Sequence, residues 1–156
     1  MDLVSMAGNI LDSKAELLVN PSNFQGPMYG GLARQFADRF PGLEEDYCAV
    51  ASSRRMNFFL CNYHYFHIWR VADGRRVISF PTMNLGEPAN LAKVTVGLRN
   101  LALWVMTQDY VSIAIPKIGC GIGGLDWADV RKAVIEAFNG VDITVELYEG
   151  ENEAND

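Results

Sequence analysis

The stretch "VSIAIPKIGCGIGGLDWADVRKAVIEAF", residues 111–138, joins an apolar run of strand length to a glycine-rich loop and then to a helical pattern. Gly119, Gly121, Gly123 and Gly124 fall within six positions. Glycine lets backbone N–H groups approach a ligand closely and permits positive φ. Between the carboxyl end of a strand and the N-terminus of a helix, such a loop is an anion cradle. It holds no lysine, and backbone dipoles can grip a phosphate without one. A plain strand-to-helix turn needs one or two glycines, so four point to a ligand. After the loop, Asp126 can cap a helix whose Val130, Val134 and Phe138 line one face. Ligands of open α/β sheets sit at the carboxyl ends of strands. One stretch thus predicts both a layered fold and the place where it works.

The same alternation runs through the chain. The strand-like runs are "LVSMA", "AELLVN", "YFHIWRV", "RRVISF", "VSIAIP" and "DITVELY", each bounded by Gly, Pro, Asn or Asp. Between them lie helical patterns. In "EPANLAKVTVGLRNLALWVMTQ", Leu91, Val94, Leu98, Leu101 and Val105 recur at helical steps, with Pro88 expected in the first turn. "GGLARQFADRF" and "PGLEEDYCAVAS" read as two more helices. Strands alternating with helices imply a largely parallel sheet covered on both faces. "ADGRR" predicts a hairpin through Asp73-Gly74, which makes the sheet mixed.

Composition bounds the function. The 156 residues are 49% hydrophobic and 21% charged, as in ordinary globular domains, and no apolar run is long enough to span a membrane. With no signal-like N-terminus and widely spaced Cys48, Cys61 and Cys120, the expectation is a cytoplasmic domain. It has reduced thiols, no disulfide framework, no metal site, no cofactor and no membrane partner. The net charge is −6, with Glu149, Glu151, Glu153 and Asp156 crowding an acidic tail over 149–156 that is expected to be flexible. Seven arginines fall in the 34–76 segment, interleaved with Asp38, Glu44, Glu45, Asp46 and Asp73. That pattern is a solvated surface rather than general nucleic-acid affinity.

Three motifs can be tested against the glycine loop. A P-loop needs Gly-Lys-[Ser/Thr], but Leu125 follows Gly124. A cysteine phosphatase needs an arginine at 126, where Asp126 stands; Cys120 reads instead as a small buried residue. G-x-G-x-x-G does fit Gly119, Gly121 and Gly124, yet a Rossmann domain normally begins with that motif, and here a single strand-like run follows it. A nicotinamide-dependent enzyme is therefore a remote alternative. A second loop decides the matter: "AELLVNPSNFQGPMYGGLARQF" again runs strand, polar loop, Gly30-Gly31, helix. Two such loops can grip a pyrophosphate from both sides, with Asn20 and Asn23 adding amides suited to ribose hydroxyls.

Taken together, "AGNIL" (7–11), "LLVNPSN" (17–23), "GPMYGGLARQFADRFP" (26–41), "ISFPT" (78–82), "IAIPKIGCGIGGLDW" (113–127) and "ITVELY" (143–148) resemble the macrodomain family of ADP-ribose-binding modules. The likeness is strongest to the branch holding DNA ADP-ribosyl glycohydrolase antitoxins, terminal ADP-ribose protein glycohydrolase and ADP-ribose 1″-phosphate phosphatase. The resemblance implies a three-layer α/β/α sandwich with a mixed six-stranded sheet over residues 1–148. It places Asn9, Ile10 and Tyr148 at adenine, Gly30, Gly31 and Leu32 at one phosphate loop, and Ile118, Gly119, Cys120, Gly121 and Ile122 at the other. Asn20 and Asn23 fall at the distal ribose, as positioning groups for catalysis. Glycohydrolase members carry a lysine in the helix after the first loop, in a place corresponding to Ala37. Some carry an acid in the second loop, corresponding to Gly123, and the phosphatase has a histidine at the position of Asn20. His64 and His67 read as packing residues, while Asp38, Arg39 and Lys117 are candidate substitutes. The implied function is ADP-ribose binding with hydrolysis of an ADP-ribosyl derivative, either ADP-ribose 1″-phosphate or a modified protein or nucleic acid. The alternative is a non-catalytic ADP-ribose reader.

Overall fold

A computed structural model describes residues 1–52 and 66–150. The expectations for Arg54, Arg55, Cys61, His64 and residues 151–156 lie outside the described residues. The strands are β1 (Asp2–Met6), β2 (Leu17–Asn23), β3 (His67–Arg70), β4 (Arg76–Met83), β5 (Ser112–Pro116) and β6 (Thr144–Tyr148). The helices are α1 (Gly31–Arg39), α2 (Leu43–Ala51), α3 (Leu91–Met106) and α4 (Trp127–Phe138), with a short 3-10 turn at Ile10–Asp12. The sheet order is β1-β6-β5-β2-β4-β3, and only β3 runs antiparallel to its neighbour. That antiparallel pair is the hairpin expected at Asp73-Gly74.

Burial explains why the central strands are apolar throughout. Along β2, Leu17 and Val19 pack with α3 and α4, while Leu18 packs with α1 and α2. A strand buried on both faces needs apolar side chains in both phases of its pleat. One face is closed by Val94, Leu98, Leu101, Val105, Val130, Val134 and Phe138. The other is closed by Leu32, Phe36, Phe40, Leu43 and Tyr47. The three-layer α/β/α sandwich is therefore the observed architecture.

Two boundaries differ from the sequence reading. Pro88 precedes α3 rather than opening it: the N-cap is Asn90, whose Oδ1 accepts from the Lys93 N–H at 3.0 Å. An asparagine cap satisfies a first-turn donor that proline at 88 cannot. In β2 the strand runs through Pro21 to Asn23, past the run "AELLVN" where the sequence reading ends it and begins a polar loop. Pairing with β5 is confined to Leu17 and Leu18, so that flank of β2 is open at Pro21, where a strand tolerates proline.

Candidate functional site

The site arises where the sheet opens. β2 and β5 pair only at Leu17↔Ile113 and Leu18↔Ala114, so the two strands part toward their carboxyl ends. The loops that leave those ends face each other across a cleft of about 180 Å³. Its walls include Asn23, Gly30, Gly31 and Leu32 from one side and Lys117, Gly119, Gly121, Ile122 and Gly123 from the other. The loops nearly touch: a Cβ on Gly30 would lie 3.8 Å from Ile122 Cδ1.

Local chemistry shapes both loops as donors. The Leu125 N–H donates to the Gly119 carbonyl at 2.8 Å, and Ala89 N–H donates to the Gly123 carbonyl at 2.9 Å. Gly119 sits at φ 73°, and a Cβ on Gly123 would lie 2.7 Å from the Gly119 oxygen. Neither position takes a side chain without moving the loop. Among the described residues, the N–H groups of Gly121, Ile122 and Gly123 have no acceptor. Opposite, α1 starts on Gly30 with no side-chain cap and no acid in its first turn. The N–H groups of Gly31, Leu32 and Ala33 are thus left to whatever occupies the cleft, at the positive end of the helix dipole. This first loop is braced from behind. Glu44 Oε2 accepts from Met28 N–H at 2.6 Å, and Arg34 Nη1 donates to the Met28 carbonyl at 3.1 Å and to Glu44 Oε1 at 3.3 Å.

The other residues singled out from sequence are placed as follows. Asn23 borders the cleft, but its amide organises the chain behind it. Oδ1 accepts from Gln25 and Gly26 N–H groups at 3.0 and 2.7 Å, and Nδ2 donates to the Pro27 carbonyl at 2.6 Å. Asn20 is fully buried beneath the cleft, where Nδ2 donates to Ser79 Oγ at 3.2 Å. Asn9 caps the 3-10 turn, its Oδ1 accepting from Leu11 N–H at 3.0 Å; Ile10 and Tyr148 are buried. These three gather at the carboxyl ends of β1 and β6, beside the β5 loop but outside the cleft lining. Ile118 is buried in the core and Cys120 packs against it. Burial pushes the Cys120 thiol up to about 11, which leaves it protonated and unreactive at neutral pH.

Sequence reasoning missed the contribution of β4. Thr82, Met83, Leu85 and Gly86 line the cleft because β4 lies parallel beside β2 and ends at the same edge. Nothing local in "ISFPTMNLG" announces this, since only the strand order brings it there. Among the described residues, Lys117 is the one charged side chain of the lining. Ala37 stands on the buried face of α1 with Phe36 and Leu11, outside the lining.

The remaining polar residues serve the fold. Arg34 pairs with Asp38 at 3.1 Å and Arg75 with Asp73 at 2.8 Å, as the interleaved charges suggested, while Arg39 pairs with Asp12 at 3.1 Å, outside that segment. Glu149, where the acidic stretch begins, accepts from Trp127 Nε1 at 3.1 Å and Arg131 Nε at 2.8 Å. Among the described residues there is no cluster of three metal-ligating side chains and no helix long and apolar enough to cross a membrane.

His67 is buried against the Tyr47 ring, and its Nε2 lies 2.9 Å from Asp46 Oδ2. Burial depresses its pKa, partly offset by Asp46. The unfolded chain therefore takes up a proton below about pH 6.5 that the folded chain resists. Stability should be fully present above that pH and decline as pH falls toward the folded value. Urea unfolding at pH 7.5 and 5.5 should show this loss, and His67→Phe should reduce it. An equal slope in both proteins would place the titration elsewhere.

The family model described as Macro domain matches residues 19–134. This chain is a macrodomain. It is 30% identical over 144 residues to the DNA ADP-ribosyl glycohydrolase of Mycobacterium tuberculosis, covering 91% of this chain and 40% of that protein. To the DNA ADP-ribosyl glycohydrolase of Thermus aquaticus it is 32% identical over 142 residues, covering 88% and 39%. Among solved structures, the macrodomain of Thermus aquaticus DarG superposes with TM-score 0.80 at 29% identity, covering 95% of this chain and 98% of that one. For the macrodomain of Mycobacterium tuberculosis DarG the TM-score is 0.83 at 27% identity, covering 96% and 98%. The macrodomain thus spans about 40% of the length of these curated relatives. Membership removes the nicotinamide alternative. The glycine motif here follows the fifth strand in chain order, whereas a Rossmann domain opens with it.

Proposed function

We propose that this macrodomain binds ADP-ribose and hydrolyses an ADP-ribosyl derivative. The observation that carries the reading is the pair of facing glycine loops with outward N–H groups, one of them opening α1. Their spacing suits a diphosphate, held from both sides by backbone donors that carry no charge of their own. Adenine lies toward Asn9, Ile10 and Tyr148. The distal ribose lies toward Asn23 and the end of β4, with Asn20 supporting from below. The relatives' activity on DNA supports a nucleic acid as the group bonded to that ribose.

Hydrolysis adds water at the anomeric carbon of the distal ribose while the leaving group takes up a proton. The loops orient the ribose for that attack, and Lys117 supplies positive charge where negative charge builds. A second reading, binding without turnover, is favoured by one fact: among the described residues, the lining holds no carboxylate and no imidazole. Calorimetry should show ADP-ribose binding at least about tenfold more tightly than AMP, since AMP lacks the second phosphate and distal ribose. Equal affinities would remove the diphosphate site. Lys117→Ala should keep ADP-ribose affinity within about fivefold yet slow release of ADP-ribose from modified DNA by about a hundredfold or more. A wild-type protein that binds ADP-ribose but releases it from no DNA, protein or 1″-phosphate substrate would establish the reader.

A further inference from the structure

Helix α3 is apolar on two sides. Its core side is carried by Val94, Leu98, Leu101 and Val105. On the opposite side, Ala92, Val96, Arg99, Leu103 and Met106 follow one another at steps of four, three, four and three residues. That spacing is the seam of a heptad repeat, and it keeps all five side chains on one line of the helix. All five are exposed: Val96 is 41% exposed, Leu103 61% and Met106 60%. At the helical rise the line is about 21 Å long. Single exposed apolar side chains are ordinary on a protein surface, but a continuous stripe with heptad spacing is the surface on which another helix packs. None of the five residues lines the cleft between the glycine loops.

Arg99 selects the occupant. It stands at the midpoint of the stripe, seven residues from Ala92 and seven from Met106. Its aliphatic stem continues the apolar line, and among the described residues no carboxylate pairs with its guanidinium. A second copy of this chain fits poorly. Packing α3 on α3 in register about a twofold axis, parallel or antiparallel, sets Arg99 against Arg99, because the residue is central. An anionic membrane fits no better. A helix lying on one carries cations along the borders of its apolar face, whereas Thr95, Asn100 and Thr107 border this one. Lys93, the other cation of α3, lies 5.8 Å from the centre of the Phe24 ring. The complement of the stripe is a helix whose own apolar seam is interrupted once, by an Asp or Glu opposite Arg99. The apolar positions on either side supply the packing, and the ion pair sets register and partner choice.

We propose that the outer stripe of α3 is a docking surface for an amphipathic helix of a partner protein, which places one carboxylate against Arg99. The surface is independent of the cleft and of what the cleft binds. The test uses two fluorescent synthetic peptides about as long as α3, stapled as helices, with leucines at heptad spacing. One carries a central Glu in the seam and the other a central Lys. Anisotropy at about 100 mM salt reads their binding to wild type, Arg99→Glu and Leu103→Gln. Wild type should bind the Glu peptide with a Kd of about 10–100 μM, as a seam this short allows, and at least about fivefold more tightly than the Lys peptide. Arg99→Glu should reverse that preference, and Leu103→Gln should weaken the Glu peptide about tenfold. Both residues are exposed, so both variants should melt as wild type does. The proposal is overturned if wild type binds neither peptide, if it binds both alike, or if Arg99→Glu leaves the preference unchanged. Sedimentation of wild type alone at about 100 μM should show a monomer. A dimer that Leu103→Gln dissolves would make a second copy the occupant, and anionic vesicles that bind wild type but not Leu103→Gln would assign the stripe to a membrane; either result overturns the proposal.

Discussion

Gly121→Glu should lower ADP-ribose affinity by at least about a hundredfold, roughly 3 kcal/mol, and leave the melting temperature nearly unchanged. Gly121 lines the cleft, is exposed and is not among the positive-φ glycines, so its backbone accepts a side chain. The glutamate would place a carboxylate where the diphosphate must lie, adding like-charge repulsion to lost space. The nearest compensating charge is Lys117, a single ammonium against two phosphates. Calorimetry together with a thermal scan separates the two effects. A folded variant with wild-type affinity would show that the phosphates lie elsewhere.

Gly123→Ala should cost both stability and binding, although it adds only a methyl group. Gly123 is buried, and its Cβ would stand 2.7 Å from the Gly119 oxygen and 2.8 Å from the Ala89 Cβ. A backbone oxygen held by the Leu125 N–H at 2.8 Å has little freedom to give way. The loop must therefore shift, at about 2–3 kcal/mol, which lowers Tm by roughly 4–10 °C in a domain of this size. Because the same loop presents the N–H groups of Gly121 and Ile122, ADP-ribose affinity should fall with it by at least about tenfold. A variant as stable and as tight as wild type would mean that the loop repacks freely. A carboxylate at position 123 would need a different path for the loop.

The elements were legible because each carries its own signal. The α4 stripe of Val130, Val134 and Phe138 and the Asp126 cap are local facts, and the structure repeats them, with Asp126 Oδ1 accepting from Ala128 N–H at 3.0 Å. The unbroken apolar run in "LLV" announced a strand covered on both faces. The two glycine loops were legible for the same reason, since no side chain can stand where backbone must approach a ligand. The Asn90 cap of α3 was hidden behind the more conspicuous Pro88, and the extension of β2 through Pro21 depends on which flank of that strand is paired.

What the amino-acid sequence determined by itself was the alternation of strands and helices, the two core faces and the two glycine loops at strand ends. Each follows from periodicity or from glycine within a short span of chain. What only the tertiary structure decided was how these pieces meet. Pairing of β2 with β5 stops at Leu18 and Ala114, which opens the cleft. Packing β4 beside β2 brings Thr82, Met83 and Leu85 to a site built by segments far from them in sequence. The placement of Lys117 at the cleft and of Ala37 in the core likewise depends on side-chain direction in the packed fold. Strand order and burial are properties of the whole sheet. They arise from contacts between residues distant in the chain, and no local window of sequence holds that information.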